Sequence, residues 1–592
     1  MRTGARTGFG WGLACAMALS APAPAGGADR DPDYAGQRYA ASGIDAARLR
    51  ELVPLWSFST GVLRGHEGAP LVVGGVVYLV TPFPNVVYAL DLVHDGRVLW
   101  RYEPRQDAGA VAVMCCDAVS RGLGYGRGRI FLYQADGTLV ALDARTGARL
   151  WSVRNADPAK GETGTSAPLV VGDKVIVGMA GGEYGTRGFL SAFDVATGAL
   201  RWRAYSIGPD EDMLVDPRRT TSLGRPVGAD SSLKSWEGDQ WRLGGGAPWG
   251  RISYDPGLNL IYYGTGNPAP WNPAQRPGDN RWTAAIVARD ADTGMARWIY
   301  QTSPHDQWDY DAVNEMILTD AEIDGRRRAL LTHFDRNGFV YVLDRETGAL
   351  VSADKFDPAA NWARGIDLDP SSPAYGRPDL DPRFSPQANG EDAVTRGACP
   401  ATMGAKNANP SAYSPLTGLF YEPAIRLCMD YEPFHVDYAQ GQPYTGADTT
   451  VFPQRQGEAA APMGALVAWD PVARKIAWEA KEAFPVVSGV LALSGGVIFY
   501  GTLEGYLKGL DARTGVELYR FRTPSGIVGD PVAFSYEGRD YVAVLSGVGG
   551  WAGAGLAAGL TGGKENETSP QVYAALARYT ALGGALTVFG LR

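Results

Sequence analysis

The stretch Ala141-Leu-Asp143-Ala-Arg-Thr-Gly147-Ala-Arg-Leu-Trp151 carries a pattern that recurs along the chain. The pattern is two apolar or small residues, Asp, two or three residues, Thr-Gly, three residues and Trp. Further copies, some of them degenerate, lie at Asp91 to Trp100, Asp194 to Trp202, Asp290 to Trp298, Asp344 to Gly348, Asp470 to Trp478 and Asp511 to Tyr519. Asp starts a turn, Gly supplies a positive φ and Trp begins the next strand, so each copy predicts a β-turn-β unit.

The spacing of these units predicts how they assemble. Asp91, Asp143 and Asp194 are 52 and 51 residues apart, and Asp290 and Asp344 are 54 apart. Repeats of this length with β content are typical of propellers, whose blades bury their faces against one another. Seven copies are explicit, and we expect the strand 55–58 to complete an eighth blade with C-terminal strands such as 541–545. The alternative is a pair of β-sandwich domains.

Composition supports one large, turn-rich, all-β structure. The chain has 592 residues, of which 77 are glycine and 16 tryptophan. Residues 29–592 are therefore expected to form a single eight-bladed β-propeller with long inserted loops. The net charge of −9 offers nothing to attract nucleic acid, and no later stretch is long enough to span a membrane.

The first 28 residues have the organisation of a signal peptide. Arg2 and Arg6 precede an apolar run from about residue 9 to residue 21, and small residues follow. This order is that of a basic region, a hydrophobic region and a cleavage zone. We expect cleavage near Ala25 or Ala28 and export of a soluble protein to the periplasm.

Four cysteines remain after removal of such a leader: Cys115, Cys116, Cys399 and Cys428. An even number in an oxidising compartment favours disulfides. Cys399 and Cys428 can pair with each other, which leaves the adjacent Cys115 and Cys116 to form a strained vicinal disulfide. Two buried thiols, or pairing with distant partners, are the alternatives. No Cys-x-x-Cys-His motif for covalent haem occurs.

Acidic and amide side chains stand out in otherwise uncharged turns. Glu183 follows a Gly-Gly pair, Asn267 follows a strand, and the segment 305–311 holds Asp306, Asp309 and Asp311. Glu183, Asn267, Asp309 and Asp311 would form an all-oxygen set, which suits a hard cation rather than zinc or copper. The alternative for each residue alone is a solvated loop position.

Several segments together resemble the periplasmic quinoprotein alcohol dehydrogenases that use pyrroloquinoline quinone (PQQ), and specifically their methanol dehydrogenase branch. The resemblance runs in order from about residue 30 to the C-terminus. Its carrying segments are 59–70, 115–121, 236–250, 267–271, 276–282, 308–309, 335–338, 428–434, 501–506 and 549–551.

The resemblance implies a flat quinone held between a Cys115–Cys116 disulfide and the indole of Trp249. The other cofactor-binding positions that it implies are Glu67, Arg121, Thr165, Gly181, Gly182, Arg336, Asn407 and Trp551. The planar guanidinium of Arg121 can donate two parallel hydrogen bonds to a cofactor carboxylate. Arg336 would stabilise negative charge during reduction of the quinone.

The resemblance also implies that Glu183, Asn267 and Asp309 are metal ligands and that Asp309 is the general base. Lanthanide enzymes of this branch have Asp two positions after that base, where calcium enzymes have a small residue. Asp311 therefore favours a lanthanide over Ca²⁺, because it brings the carboxylates to three. The implied reaction passes the alcohol proton to Asp309 and a hydride to the quinone.

Two positions depart from the family pattern. Ala247-Pro248 replaces a Thr-Asn pair before the stacking Trp249, and Val487 replaces a common Trp near the substrate pocket. We expect the smaller Val487 to admit alcohols longer than methanol.

Two other functional classes are compatible with the sequence. One is a calcium-type or broader-specificity quinoprotein alcohol dehydrogenase, and the other is a non-catalytic propeller scaffold. If the chain is an enzyme, it needs a small primary alcohol and a separate electron acceptor, for which we expect a soluble cytochrome c. A homodimer is possible.

Overall fold

A computed structural model describes residues 33–323, 326–454, 462–550 and 575–592. The expected leader, 1–28, and Trp551 lie outside the described residues. In the described part the fold is an all-β, propeller-like arrangement of eight sheets of four to six strands, together with two smaller sheets. No helix in these ranges is long and apolar enough to cross a membrane.

The sheets follow one another along the chain. In spatial order, the strands of sheet 1 are Leu52–Ser59, Ala585–Leu591, Arg539–Ser546 and Val532–Tyr536. In the same order, sheet 2 contains Leu71–Val73, Val76–Val80, Val87–Asp91 and Arg97–Tyr102. Sheet 3 contains Arg149–Arg154, Thr138–Asp143, Arg129–Tyr133 and Gly124–Gly126. Sheet 4 contains Leu169–Val171, Lys174–Val177, Phe189–Asp194 and Leu200–Tyr205.

The second half continues in the same way. Sheet 5 contains Arg225–Pro226, Thr221–Ser222, Ala296–Gln301, Ala285–Asp290, Leu260–Gly264 and Ser253–Asp255. Sheet 6 contains Ile317–Ile323, Arg326–Phe334, Phe339–Asp344 and Leu350–Lys355. Sheet 7 contains Ala412–Ser414, Leu419–Ile425, Gly464–Asp470 and Lys475–Glu482. Sheet 8 contains Tyr39–Asp45, Leu491–Gly495, Val497–Gly501, Tyr506–Asp511 and Glu517–Arg522.

The remaining elements are short and lie in loops, some between sheets and some between strands of one sheet. The two smaller sheets pair Ala363–Ile366 with Pro378–Leu380, and Leu427–Pro433 with both Thr395–Ala398 and Ala447–Pro453. Within the described ranges, an α-helix spans Pro386–Asn389. The 3-10 helices are Leu49–Glu51, Ala108–Val113, Pro158–Lys160, Gly182–Tyr184, Leu233–Ser235, Gln240–Leu243, Pro273–Gln275 and Pro382–Phe384.

The sequence repeat forms the turn that it predicts. In the copy at 143–147, Asp143 Oδ1 accepts hydrogen bonds from Thr146 N and Oγ1 at 2.9 and 2.8 Å. Gly147 has a φ of 71° and donates its N–H to Asp143 O at 2.8 Å. A left-handed backbone conformation at this position favours glycine. The turn connects the strands Thr138–Asp143 and Arg149–Arg154 of sheet 3.

Tryptophans join one sheet to the next at six junctions. The indole N–H of Trp100 in sheet 2 donates to Ala144 O, the carbonyl after the turn Asp of sheet 3, at 2.9 Å. The equivalent bonds run from Trp56 to Leu92, Trp151 to Val195, Trp202 to Ala291, Trp298 to Arg345 and Trp478 to Ala512, at 3.0–3.2 Å. Between sheets 6 and 7 a bidentate Arg474–Asp354 ion pair joins neighbouring strands.

The N-terminal strand closes against the C-terminus, as the sequence predicts, with one difference. Leu52–Ser59 pairs directly with Ala585–Leu591, which in turn pairs with Arg539–Ser546. The expected partner strand 541–545 is thus in the same sheet, one strand further away. Apolar side chains fill the spaces between adjacent sheets, for example Val87 of sheet 2 against Leu132 and Val140 of sheet 3.

Substitution of the turn glycine tests this packing. A Cβ at Gly147 would lie 2.6 Å from the Trp100 ring, whereas one at Gly128, which has a similar φ of 70°, meets nothing within 4 Å. We expect Gly128→Ala to cost about 1 kcal/mol for the left-handed backbone alone. Gly147→Ala should cost about 1–3 kcal/mol more, because it also overpacks the sheet junction. If denaturant unfolding showed that the two variants lose the same free energy of unfolding, the contact between Gly147 and Trp100 would not contribute to stability.

Candidate active site

Loops between sheets and loops within sheets converge around a cavity of about 200 Å³. Glu183 lies in the 3-10 helix 182–184, Asp309 and Asp311 lie in the loop between sheets 5 and 6, and Arg336 lies in a turn of sheet 6. Twelve of the predicted site residues line the cavity: Glu67, Cys115, Cys116, Arg121, Thr165, Gly181, Glu183, Trp249, Asp309, Asp311, Arg336 and Asn407. The structure thus brings together positions that are up to 340 residues apart, from 67 to 407.

Carboxylates dominate one side of this cavity. Asp309 and Asp311 are buried and share the guanidinium of Arg336, with Arg336 Nη2 3.4 Å from Asp309 Oδ2 and Nη1 in direct contact with Asp311 Oδ2. Glu183 is the third carboxylate. When all are ionised, three negative charges face one positive charge, which leaves an excess of two negative charges in a poorly hydrated place.

Burial shifts the ionisation of this group. Loss of water raises the pKa of Glu183 to about 7, and the charge of Asp311 adds to the shift. Burial raises the pKa of Asp309 well above its usual range, and Arg336 opposes that shift. Asp309 Oδ1 is buried and has no hydrogen-bond partner among the described residues. An oxygen in this condition is available to a cation or a proton.

Gly182 and Asn267 lie next to the cavity, not on its lining. A Cβ at Gly182 would be 3.3 Å from Asn267 Oδ1. The Asn267 backbone N–H donates to Asp311 Oδ1. Glycine at 182 therefore leaves room for the amide, and Asn267 stands beside the carboxylate with which it was predicted to share a metal.

The metal-ligand set expected from the sequence stays a prediction. In the parts of the chain that the structure describes, no three His, Cys, Asp or Glu side chains are grouped so that they could hold a metal. Arg336 contacts both Asp309 and Asp311, and the fourth expected ligand, Asn267, is an amide. The charge excess and the unpartnered Asp309 Oδ1 nevertheless fit a cation.

The loop that presents Asp309 is held by a residue to which the sequence assigned no role. Asp309 has a φ of 66°, an uncommon conformation outside glycine. The buried Asp306 accepts hydrogen bonds from Trp308 N at 3.1 Å and Tyr310 N at 2.9 Å, one on each side of Asp309. Asp306 therefore acts as a positioning residue. An Asp that precedes a turn by two residues is a local signal that could have indicated it.

Aromatic and cationic groups also line the cavity. The Arg121 guanidinium lies 4.5 Å from the Trp249 ring centroid and pairs with Glu67 at 3.0 Å. The Trp249 indole donates to Asp311 Oδ2 at 3.2 Å. Thr165 Oγ1 is buried and has no partner among the described residues. A flat indole, two guanidinium groups and an unpartnered hydroxyl fit a flat polycarboxylate ligand.

The cysteines confirm one expected disulfide. Cys399 and Cys428 are joined. Cys115 and Cys116 line the cavity as free thiols, so the structure does not contain the vicinal disulfide that we expected. Joining neighbouring cysteines would close a strained eight-membered ring, which free thiols do not require.

Other residues of the cavity were not singled out from the sequence for this role. They are Met114, Asp117, Val119, Thr163, Ala180, Trp271, Met403, Asn409, Val528 and Gly549. Most are apolar and have no local signature, so only the fold reveals them. Val487, the predicted determinant of substrate size, does line the cavity.

Comparison with known proteins identifies the class of molecule. Residues 30–403 match the family described as PQQ: Glucose/ethanol/alcohol dehydrogenase, beta-propeller domain. This match covers more than half of the chain. The chain belongs to the PQQ-dependent dehydrogenase family.

This dehydrogenase chain is similar to curated proteins over nearly its whole length. It is 56% identical over 560 residues to the lanthanide-dependent methanol dehydrogenase of Methylorubrum extorquens, covering 94% of this chain and 93% of the relative. It is 45% identical over 559 residues to subunit 1 of the methanol dehydrogenase (cytochrome c) of the same organism, covering 93% and 88%. A solved structure of a europium-containing methanol dehydrogenase aligns with a TM-score of 0.89 and 46% identity, covering 94% of this chain and 96% of that one.

Removal of the Asp306 carboxylate tests its role in this dehydrogenase site. We expect Asp306→Ala to lower kcat for alcohol oxidation about 10- to 100-fold, since it frees the backbone on both sides of Asp309 and displaces the carboxylate. The change should fall on kcat more than on KM for the alcohol.

Asp369→Ala is the matched control, because it removes a similar side-chain-to-backbone cap from an exposed loop. This control should keep full activity. If Asp306→Ala folded normally and also kept its kcat, Asp306 would have no positioning role.

Proposed function

We propose that the protein oxidises methanol and other primary alcohols to aldehydes with PQQ and a lanthanide ion. The observation that carries this proposal is the buried excess of negative charge around Asp309, beside a cavity with a flat indole and two guanidinium groups. The membership of the PQQ family and the similarity to lanthanide-dependent methanol dehydrogenases support it.

The residues of the cavity divide into those that hold the cofactor and those that act on the alcohol. Trp249 would support one face of the quinone, and Cys115-Cys116 the other, as a vicinal disulfide once oxidised. Arg121 and Thr165 would bind its polar edge. The other proposed contacts are Glu67, Gly181, Gly182, Arg336, Asn407 and Trp551. When bound, PQQ supplies the acceptor for the hydride that leaves the alcohol carbon.

Asp309 is the proposed base. Its Oδ1 is unpartnered within the described residues, and the loop that carries it is fixed by Asp306. The carboxylate accepts the hydroxyl proton as the alcohol becomes an aldehyde. Arg336, which contacts Asp309, opposes the rise in the pKa of that carboxyl and offers positive charge where electrons accumulate.

Glu183, Asn267, Asp309 and Asp311 are the proposed metal ligands. Three carboxylates give the set a charge of −3, which matches a trivalent ion better than a divalent one. A bound ion would take over the neutralisation of Asp311 that Arg336 now provides. Calcium is the alternative ion. It would be favoured if Asp311 contacted only Arg336 and Trp249 and did not bind the ion.

We also propose the setting of the enzyme. Residues 1–28 would direct export to the periplasm, and 29–592 would form one ring of eight blades, for which the eight large sheets are the support. A soluble cytochrome c would accept the electrons, as the name of the cytochrome c-linked relative suggests. A homodimer remains compatible with the chain.

Turnover after reconstitution tests the proposed reaction. We expect the protein loaded with PQQ and La³⁺ to oxidise methanol in a dye-linked assay. Asp309→Asn should lower kcat about 10²- to 10⁴-fold, because an amide cannot accept the proton. The variant should still bind PQQ, which its absorbance reports. A loaded wild-type protein without alcohol oxidation, or an active Asp309→Asn protein, would contradict the proposal.

The size of residue 487 tests the substrate class. Val487 lines the cavity, and its isopropyl group is smaller than an indole. We expect kcat/KM to change little from methanol to butanol in the wild type. Val487→Trp should lower kcat/KM for butanol about tenfold or more relative to methanol, which is the internal control. A steep fall from methanol onward in the wild type would show that Val487 does not set the size limit.

A further inference from the structure

A second cavity, of about 270 Å³, lies beside sheet 5. Its walls are the hairpin 221–226, the residues Arg281 and Trp282, the end of strand Ala296–Gln301 and the segment 373–377. It shares no lining residue with the active-site cavity and is comparable to it in size. The proposed reaction leaves this cavity without a function.

Three guanidinium groups line the second cavity: those of Arg225, Arg281 and Arg377. Asp279 pairs with two of them, through a bidentate bond with Arg377 at 2.7 and 2.9 Å and a bond with Arg281 at 3.0 Å. Arg225 donates to Pro370 O at 3.2 Å, and in the described ranges no carboxylate lies within ion-pair distance of it. Three positive charges therefore face one carboxylate, which leaves an excess of two positive charges.

Flat apolar surface lies next to these charges. Trp282, Tyr300 and Tyr375 contribute rings, and the Arg281 guanidinium is 5.4 Å from the Trp282 ring centroid. The Tyr300 hydroxyl donates to Gly376 O at 2.9 Å. Its polar end is therefore already satisfied, and because the side chain is almost fully buried, its ring backs the cavity wall and adds little free surface. Leu223, Val227, Pro226, Pro304 and Pro373 extend the apolar lining.

The floor of this cavity is rigid. Gln301 Nε2 donates to Asp279 O at 2.9 Å and to Thr283 O at 3.1 Å. His305 N donates to Asp279 O at 3.0 Å. These bonds hold the chain that presents Arg281, so a ligand would meet a largely preformed site and would order few additional groups.

We propose that this cavity binds a small monocarboxylate with a flat apolar body. A carboxylate accepts paired hydrogen bonds from a guanidinium group, and Arg281 and Arg225 have charge to offer. The rings and prolines would pack against the rest of the molecule. The rings and prolines beside the guanidinium groups favour such an organic acid over inorganic phosphate. This function is additional to alcohol oxidation and independent of it.

Benzoate is the probe, and its neutral isostere benzamide is the matched ligand control. Titration of the PQQ-loaded holoenzyme by calorimetry should show benzoate binding at least about tenfold tighter than benzamide, because only benzoate carries the charge. Arg281→Gln should weaken benzoate binding about tenfold. Arg225→Gln, at an exposed position that does not hold the fold, should weaken it in the same direction.

Arg520→Gln is the protein control, since Arg520 is an exposed arginine of sheet 8 whose partner is Glu517. It should leave benzoate binding unchanged, and thermal unfolding should show that all three variants are folded. The proposal is overturned if benzoate and benzamide bind equally, if benzoate does not bind at millimolar concentration, or if both cavity variants bind it as tightly as the wild type. None of these results depends on turnover, so they leave the proposed reaction untouched.

Discussion

The hydrogen bond from the tryptophan of one sheet to the carbonyl after the turn Asp of the next is the contact on which the architecture depends. It recurs at six junctions, and at each one a glycine of the turn lies against the indole. The Asp fixes the turn, the glycine lets the turn approach the indole closely, and the indole ring fills the space between the two sheets. Because the junctions are rigid, the long inter-sheet loops can bring distant side chains to one cavity.

The cavity depends on a second constraint, which is electrostatic. Glu183, Asp309 and Asp311 lie in a place with little water, and Arg336 compensates only part of their charge. Such an arrangement is costly unless a cation or protons complete it. Asp306 holds the loop of Asp309 in an uncommon backbone conformation, which places the carboxylate toward the cavity. Strain of this kind is typical of functional sites.

Much of this was predictable from the sequence, because repeat spacing and turn chemistry are local. The Asp, Gly and Trp of the repeat predicted the turns, and the resemblance to quinoproteins brought together twelve of the cavity's residues. Other features depend on three-dimensional contacts. The pairing of Arg336 with Asp311 and the cavity between Arg225 and Arg377 bring together side chains whose sequence neighbours carry no common signal. The sequence left Cys115 and Cys116 open between a disulfide and free thiols, because adjacent cysteines are compatible with both.

The affinity for metal ions tests most directly whether the buried charge exists to hold a trivalent cation. Chelator competition on the PQQ-loaded protein would compare La³⁺ with Ca²⁺ in the wild type and in Asp311→Ala. We expect the wild type to bind La³⁺ much more tightly than Ca²⁺. In Asp311→Ala the ratio of the two affinities should fall by about tenfold or more, because one negative charge is removed beside the ion. Equal retention of the two ions by the wild type, or an unchanged difference in the variant, would contradict this explanation.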